Sequence, residues 1–235
     1  MTTARFAIAL GLLLSWRAAS AQPTNGPPPV TADSARIMKA AQFGIIGAEI
    51  PLRCDTLGSH ERRLEYRSYV VLVVVARDAV GETIQVTAKQ PAGTRAPAVG
   101  TEPARPPLII VDDAGWFYGL FGDQVFLDVG CCPGPRGLRI YDLRRRERCF
   151  EGTYEEDYVE YHGQSYPVSP RLRKGRWLTF WEPVEGPSPK PPCPEDRLGE
   201  WEDSGLEVGY DEEVTLDLLT LQVVRSGKVK CFPRQ

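Results

Sequence analysis

The sequence predicts a mainly β protein, an antiparallel meander closing into a sandwich or barrel, with one short N-terminal helix. Three observations carry that expectation. Beyond Gly44 the apolar pattern runs at a period of two. Tyr69-Val70-Val71-Leu72-Val73-Val74-Val75 is a continuous, mostly β-branched run. The remaining apolar stretches are short and separated by Gly, Asp or Pro turns.

Taken in order, the first element is an export signal. Arg5 supplies a positive start, Phe6 to Leu14 an apolar stretch, and Ala19-Ser20-Ala21 a small-residue cleavage pattern, so residues 1–21 read as a signal peptide. The apolar stretch is too short to span a bilayer, and no later segment approaches 18 apolar residues. Residues 22–30 hold four prolines and form an exposed lead-in. A helix is expected over roughly 32–43, capped by Thr31 or Asp33, with Ile37, Met38 and Ala41 on one face and Gly44 at its end.

The strands follow. Leu64 to Ala76 reads as a central strand covered on both faces, and Thr83–Thr87 as a half-buried one. Pro91 to Pro107 is a long loop and the best boundary between a first unit, 31–90, and an antiparallel β domain, 108–235. Within the second unit strands are expected at Leu108–Val111, Trp116–Phe121, Gln124–Val129, Leu138–Leu143, Arg148–Gly152, Tyr158–His162 and Trp177–Trp181. Four more are expected at Leu206–Tyr210, Val214–Leu218, Leu221–Arg225 and Val229–Phe232, with 183–194 as a proline-rich excursion. Tyr141-Asp142-Leu143 and Leu216-Asp217-Leu218, 75 residues apart, echo one another as strand, Asp-Leu, turn, strand, Gly. Two such units fall short of the repeat that a β-propeller requires.

Asp128-Val129-Gly130, the stretch Pro135 to Leu143 and the ending Cys231-Phe232-Pro233-Arg234-Gln235 together resemble uncharacterised exported bacterial proteins. They share an Arg-Gly-Leu…Tyr-Asp-Leu hairpin and a Cys…Arg-Gln C-terminus. The resemblance covers at most residues 108–235. It implies an exported β-rich domain and carries no activity.

Export makes the cysteines disulfide candidates: Cys54, Cys131, Cys132, Cys149, Cys193 and Cys231. Six allow 15 connectivities, and the preferred pair is Cys193–Cys231, which would pin the proline-rich excursion to the last strand. Cys131 and Cys132 are neighbours and point to opposite faces. No metal site is expected, because no C-x₂-C pair is present and two His residues leave the ligand spacings unfilled.

The whole chain carries a net charge of −3, and removal of 1–21 takes two arginines and no acid, which argues against nucleic acid as a partner. Catalytic motifs fail one by one. Gly163-Gln164-Ser165-Tyr166-Pro167 breaks the nucleophile elbow at its last position, and His60-Glu61 lacks a second His at Leu64. Asp157, His162 and Ser165 are close in sequence, which is not triad geometry. Acidic clusters at Asp112-Asp113, Glu155-Glu156-Asp157 with Glu160, Glu200 with Glu202-Asp203, and Asp211-Glu212-Glu213 keep paired-carboxylate chemistry open. Trp177 and Trp181 share a strand face, and Arg144-Arg145-Arg146 form a basic turn; these five residues are the candidate ligand face.

The expected function is a non-catalytic β-rich binding or structural module, secreted or periplasmic, with a glycan or protein partner and no cofactor. The alternative is a secreted glycan-directed hydrolase, with Glu155, Asp157 and Glu160 as the places to look. Protease inhibition through 183–194 is compatible with the sequence and has no positive signal.

Overall fold

The computed structural model describes residues 45–75, 80–90, 106–112, 114–130, 134–161, 164–167, 169–186, 193 and 195–234. The expected signal peptide, lead-in and N-terminal helix lie outside them, as do Cys131, Cys132 and His162.

Three antiparallel sheets and one hairpin follow one another along the chain. Sheet 1 is a five-stranded meander: β1 (Arg53–Gly58), β2 (Glu61–Glu65), β3 (Tyr69–Val75), β4 (Glu82–Ala88) and β5 (Leu108–Val111). β5 lies beyond residues 91–107 and completes a sheet begun before them, so segments 31–90 and 108–235 share that sheet. Sheet 2 holds β6 (Gly115–Phe121), β7 (Gln124–Val129), β8 (Arg136–Asp142) and β9 (Glu147–Tyr154). A separate hairpin pairs β10 (Tyr158–Tyr161) with β11 (Gln164–Pro167). Sheet 3 holds β12 (Arg171–Arg173), β13 (Trp177–Val184), β14 (Glu207–Asp217) and β15 (Gln222–Arg234). No sheet pairs its first strand with its last, so the described residues close no barrel; the arrangement is a stack of sheets.

Period-two alternation decides how they stack, because successive side chains point to opposite faces. Val125 and Leu127 of β7, with Phe117, Leu120 and Leu143, face Val71, Val73, Ile84, Val86 and Ile110 of sheet 1. Phe126, Leu138 and Ile140 face the other way, onto Leu178, Phe180, Val214 and Leu216 of sheet 3. Sheet 2 is therefore the middle layer, apolar on both faces. The sequence assigns double coverage to Leu64–Ala76 instead. That segment is two strands, and β3 buries only Val71 and Val73 fully while Val70, Leu72 and Val74 stay half-buried, because sheet 1 is an outer layer.

Two further corrections concern element boundaries. Leu206–Tyr210 and Val214–Leu218 are one strand, β14, and Leu221–Arg225 and Val229–Phe232 are one strand, β15. The acidic and Ser-Gly-Lys interruptions that suggested turns are absorbed by an irregularity in their pairing between Glu212 and Val214. The described helix, α1 (Glu195–Asp203), follows the proline-rich excursion and packs against β14. No helix among the described residues is long and apolar enough to cross a membrane.

The echo between Asp142 and Asp217 is structural. In both hairpins the Asp carboxylate accepts from the backbone N–H two residues on, Arg144 at 2.8 Å and Leu219 at 3.0 Å. The residue four on donates its N–H to the Asp carbonyl at 2.7 Å and takes a positive φ, 62° at Arg146 and 57° at Leu221. The Leu that follows each Asp is buried, and its N–H reaches the chain just before the second strand of its own sheet, Asp123 O or Arg176 O. Gln124 pairs with Asp142 as Trp177 pairs with Asp217. The central strand pairs of sheets 2 and 3, β7–β8 and β13–β14, repeat one unit in the same register.

Candidate functional site

The chemistry gathers where the tail of β9 meets the C-terminal strand. Glu155 leaves β9 and forms an antiparallel bridge with Trp181, its N–H donating to the Trp181 carbonyl at 2.8 Å. Trp181 pairs with Glu213, Pro183 with Asp211, and Asp211 with Lys230, so register places Glu155, Trp181, Asp211 and Lys230 on one face of sheet 3. Phe232 and Arg234 continue that face along β15. The disulfide Cys193–Cys231, with Cα atoms 5.7 Å apart, ties the proline-rich excursion to the same strand, the pairing expected from sequence. Cys54 is an exposed cysteine on β1 and Cys149 a half-buried one donating to Ile140 O; their remaining candidate partners, Cys131 and Cys132, lie outside the described residues.

Asp211 is fully buried. Its Oδ1 lies 3.5 Å from Arg234 Nη2, which also donates to the Tyr210 carbonyl at 3.0 Å. Glycine at 209 makes that approach available, since a Cβ there would lie 2.6 Å from Arg234 Cγ and Cδ. Lys230 sits 4.4 Å from the Trp181 ring centroid and pairs with Asp157 at 3.4 Å. Burial pushes the Asp211 carboxyl up to about 7; Glu155 adds to the rise, and Lys230 and Arg234 oppose it. Burial raises Glu155 as well, against the pull of Arg234 and Lys230.

Beside these groups opens a cleft of about 310 Å³, walled by Pro135, Leu206, Phe232 and Pro233, with Glu155 and Arg234 as its charged lining. Five buried side-chain polar atoms lack a hydrogen-bond partner among the described residues. Three of them, Glu155 Oε1, Asp211 Oδ2 and Arg234 Nε, belong to this one cluster. Buried polar groups are normally satisfied, so three such atoms together set this cluster apart from its surroundings. The neighbouring network in sheet 2 contrasts with it. Asp128 accepts from Tyr154 Oη at 2.9 Å and from the Arg136 fork, Nε at 2.7 Å, and Arg136 also lies 3.8 Å from Glu156.

The candidate ligand face divides. Trp177 and Trp181 do share a face, but Arg176 lies 4.4 Å over the Trp177 ring, and Lys228 and Lys230 cover Trp181. The three arginines sit on the β8–β9 turn and are internally engaged. Arg144 pairs with Asp123, Arg145 with Glu147 at 3.6 Å, and Arg146 donates to the Pro106 and Pro107 carbonyls. A second cleft of about 380 Å³ beside Arg144, between the two repeated turns, contains no orphaned polar atom. Of the carboxylates singled out for hydrolysis, Glu155 alone lines the C-terminal cleft. Asp157 is engaged by Lys230, and Glu160 lies on β10. Sequence reasoning missed Asp211, Lys230, Phe232 and Arg234 as a group. Only the continuity of β14 and β15 brings them together, and no local signal announces it.

No family model and no solved structure matches the chain. It is similar to uncharacterised proteins of Mycobacterium tuberculosis and Mycobacterium bovis, 32% identical over 75 residues. Those residues make up 28% of this chain and 26% of each relative, so the match spans about a quarter of their length. The likeness extends to uncharacterised bacterial proteins and brings no activity with it.

Proposed function

We propose that this chain is a non-catalytic, β-rich binding module of an oxidising, secreted or periplasmic setting, and that it takes its ligand in the cleft lined by Glu155 and Arg234. The apolar-walled cleft with Glu155 and Arg234 as its charged lining carries the reading. The Cys193–Cys231 bridge and the export signal read from residues 1–21 support the compartment. A binding role is favoured over hydrolysis because a glycosidase needs two carboxyls reaching across a cleft, whereas Asp211 is enclosed by protein and Glu155 alone lines the opening.

The test is a thermal-shift panel on the oxidised protein with calcium, neutral and acidic glycans, peptidoglycan fragments, polyphosphate and peptide pools. A ligand bound only by the folded state raises the melting temperature by mass action. The expected result is a dose-dependent rise with one class, lost in Glu155→Ala and Phe232→Ala. A rise unchanged by both substitutions would move the site elsewhere. Turnover of a glycan, abolished in Glu155→Gln, would establish the hydrolase in place of the module.

A further inference from the structure

Arg171-Leu172-Arg173-Lys174 opens with alternating charged and apolar residues, and β12 sets that alternation on the edge of sheet 3. Leu172 is buried in the core between sheets 2 and 3, so Arg171 and Arg173 point away from it, exposed on the outer face. Lys174, also exposed, opens the turn that follows. Register extends the face in two rows. Arg171 stands opposite Thr179, followed by Thr215 and Val224; Arg173 stands opposite Trp177, followed by Asp217 and Gln222. Asp217 is the one carboxylate in the two rows, and the Arg176 fork already holds it, Nε at 2.8 Å and Nη2 at 2.6 Å.

Most arginines among the described residues lie against a carboxylate, as Arg63, Arg136, Arg139 and Arg225 do. The side chains of Arg171, Arg173 and Lys174 form no ion pair or hydrogen bond among the described residues. In a chain of net charge −3, three adjacent cations without an acid are a local concentration of positive potential. Separately from the cleft, we propose that this strip of sheet 3 is a docking surface for a linear, carboxylate-bearing glycan, whose acid groups meet Arg171, Arg173 and Lys174.

The arrangement selects this class. Guanidinium forks match carboxylates in two-point contact, and residues two apart on a strand stand about 7 Å apart, so the cations form a line. A bilayer surface would meet cations spread over the whole face, but the rows' only further cation is Arg176 over Trp177, which Asp217 engages. Beside the line, Thr179 and Thr215 set their hydroxyls 3.4 Å apart and half-buried, placed to exchange hydrogen bonds with sugar hydroxyls. A polyphosphate chain has no donor to offer them. Arg176 lies 4.4 Å over the Trp177 ring, which leaves a neutral sugar no open platform and makes charge the main attraction. None of these residues lines the cleft at Glu155 and Arg234.

The experiment titrates the oxidised full chain with an alginate hexasaccharide by calorimetry and maps its footprint on the wild-type protein by amide chemical shifts. Maltohexaose, polyphosphate and phosphatidylglycerol vesicles are titrated in parallel. The expected result is binding of the alginate probe with shifted amides in 171–179 and 215–217. Affinity should fall roughly tenfold when Arg171→Ala and Arg173→Ala are combined, and should weaken as added salt shortens the Debye length. Both side chains are exposed, so the double variant should keep the parent's melting temperature; if it does not, the wild-type footprint decides. Failure of the alginate probe to bind, a footprint elsewhere, or equal or tighter binding of any parallel probe overturns the proposal. So does loss of alginate binding in Glu155→Ala but not in the arginine variant, which would place the glycan in the cleft instead.

Discussion

The central strand pairs of sheets 2 and 3 share one register but face different neighbours, and their substitutions show what a repeated unit must change when it becomes the last layer. The face of sheet 2 that packs on sheet 1 uses Val125, Leu127, Tyr141 and Leu143; the matching face of sheet 3 packs on sheet 2 through Leu178, Phe180, Leu216 and Leu218. The opposite faces diverge. Where sheet 2 has Phe126, Leu138 and Ile140 against the next sheet, sheet 3 has Thr179, Glu213 and Thr215. End units of stacked repeats carry a polar outer face for the same reason, since no further layer arrives to bury it. The ion pair diverges as well. Asp128 and Arg136 satisfy each other in sheet 2, while the equivalent positions in sheet 3 are Trp181 and Asp211, and the acid there is left with Lys230 and a distant Arg234. The chain between β13 and β14 also grows into an excursion with a helix and a disulfide. The last copy has thus given up internal satisfaction at the end where the cleft opens.

A reciprocal exchange tests the layering most severely. Phe126→Thr should cost about 3–5 kcal/mol, since it removes a large side chain from between two sheets and buries a hydroxyl there. Thr179→Phe at the matching position of sheet 3 should stay within about 0.5 kcal/mol in folding stability while promoting self-association. Urea denaturation measures the first and sedimentation velocity the second. Equal costs at the two positions would mean that the sheets are not equivalent layers.

The excursion is tested through its tether. Cys231→Ser should lower stability by about 2–4 kcal/mol, as expected for a bridge joining residues 38 apart in sequence. A reductant should destabilise the parent and leave the Ser variant unmoved, both read as melting temperatures.

Asp211 gives a smaller effect with a definite sign. Its carboxyl titrates near 7 in the folded protein and near 3.8 when unfolded, so between those values the folded state holds the extra proton. This contribution is favourable in acid, fades as pH rises toward 7 and is a penalty above it. Asp211→Asn should flatten the fall in melting temperature between pH 4 and 7. At pH 8 it should raise stability by roughly 1 kcal/mol, about 2–4 °C. An unchanged pH profile would show that Asp211 is ionised and satisfied in the folded state, and sheet 3 would then be as self-contained as sheet 2.

These contrasts were partly legible in the sequence. Strand existence and most boundaries from β4 to β9 follow from alternation and turn residues, because both are local. β1, β11 and β12 escaped it, since Arg53–Gly58 and Arg171–Arg173 are polar edge segments without apolar alternation. α1 escaped because its apolar face is little more than Leu198 and Trp201. The disulfide was legible because a terminal strand beside a proline-rich excursion needs a tether. The carboxylate cluster was half legible. Glu155 stood out, whereas Asp211 sat in an acidic triplet that reads as a turn until β14 is seen to run through it. Which residues face each other across two sheets is set by register, and register is not written in any single strand.

The finest comparison is between the two repeated turns. Asp142 holds its turn through two backbone N–H groups, Arg144 at 2.8 Å and Arg145 at 2.9 Å. Asp217 uses one backbone N–H and the fork of Arg176, Nε at 2.8 Å and Nη2 at 2.6 Å. The Arg176 fork holds the Asp217 carboxyl well below the usual carboxylate range. A folded-state pKa below the unfolded one adds stability above the unfolded value and loses it as pH falls through the folded one. Asp217→Ala should therefore lower the melting temperature more than Asp142→Ala at pH 7, and the gap should narrow as pH drops below 4. Arg176→Ala should narrow the gap between the two Asp variants, because it removes the largest partner that the first turn lacks. If Asp142→Ala is the costlier, the backbone bonds alone define the turn, and the arginine fork in the last sheet is an ornament of its polar face.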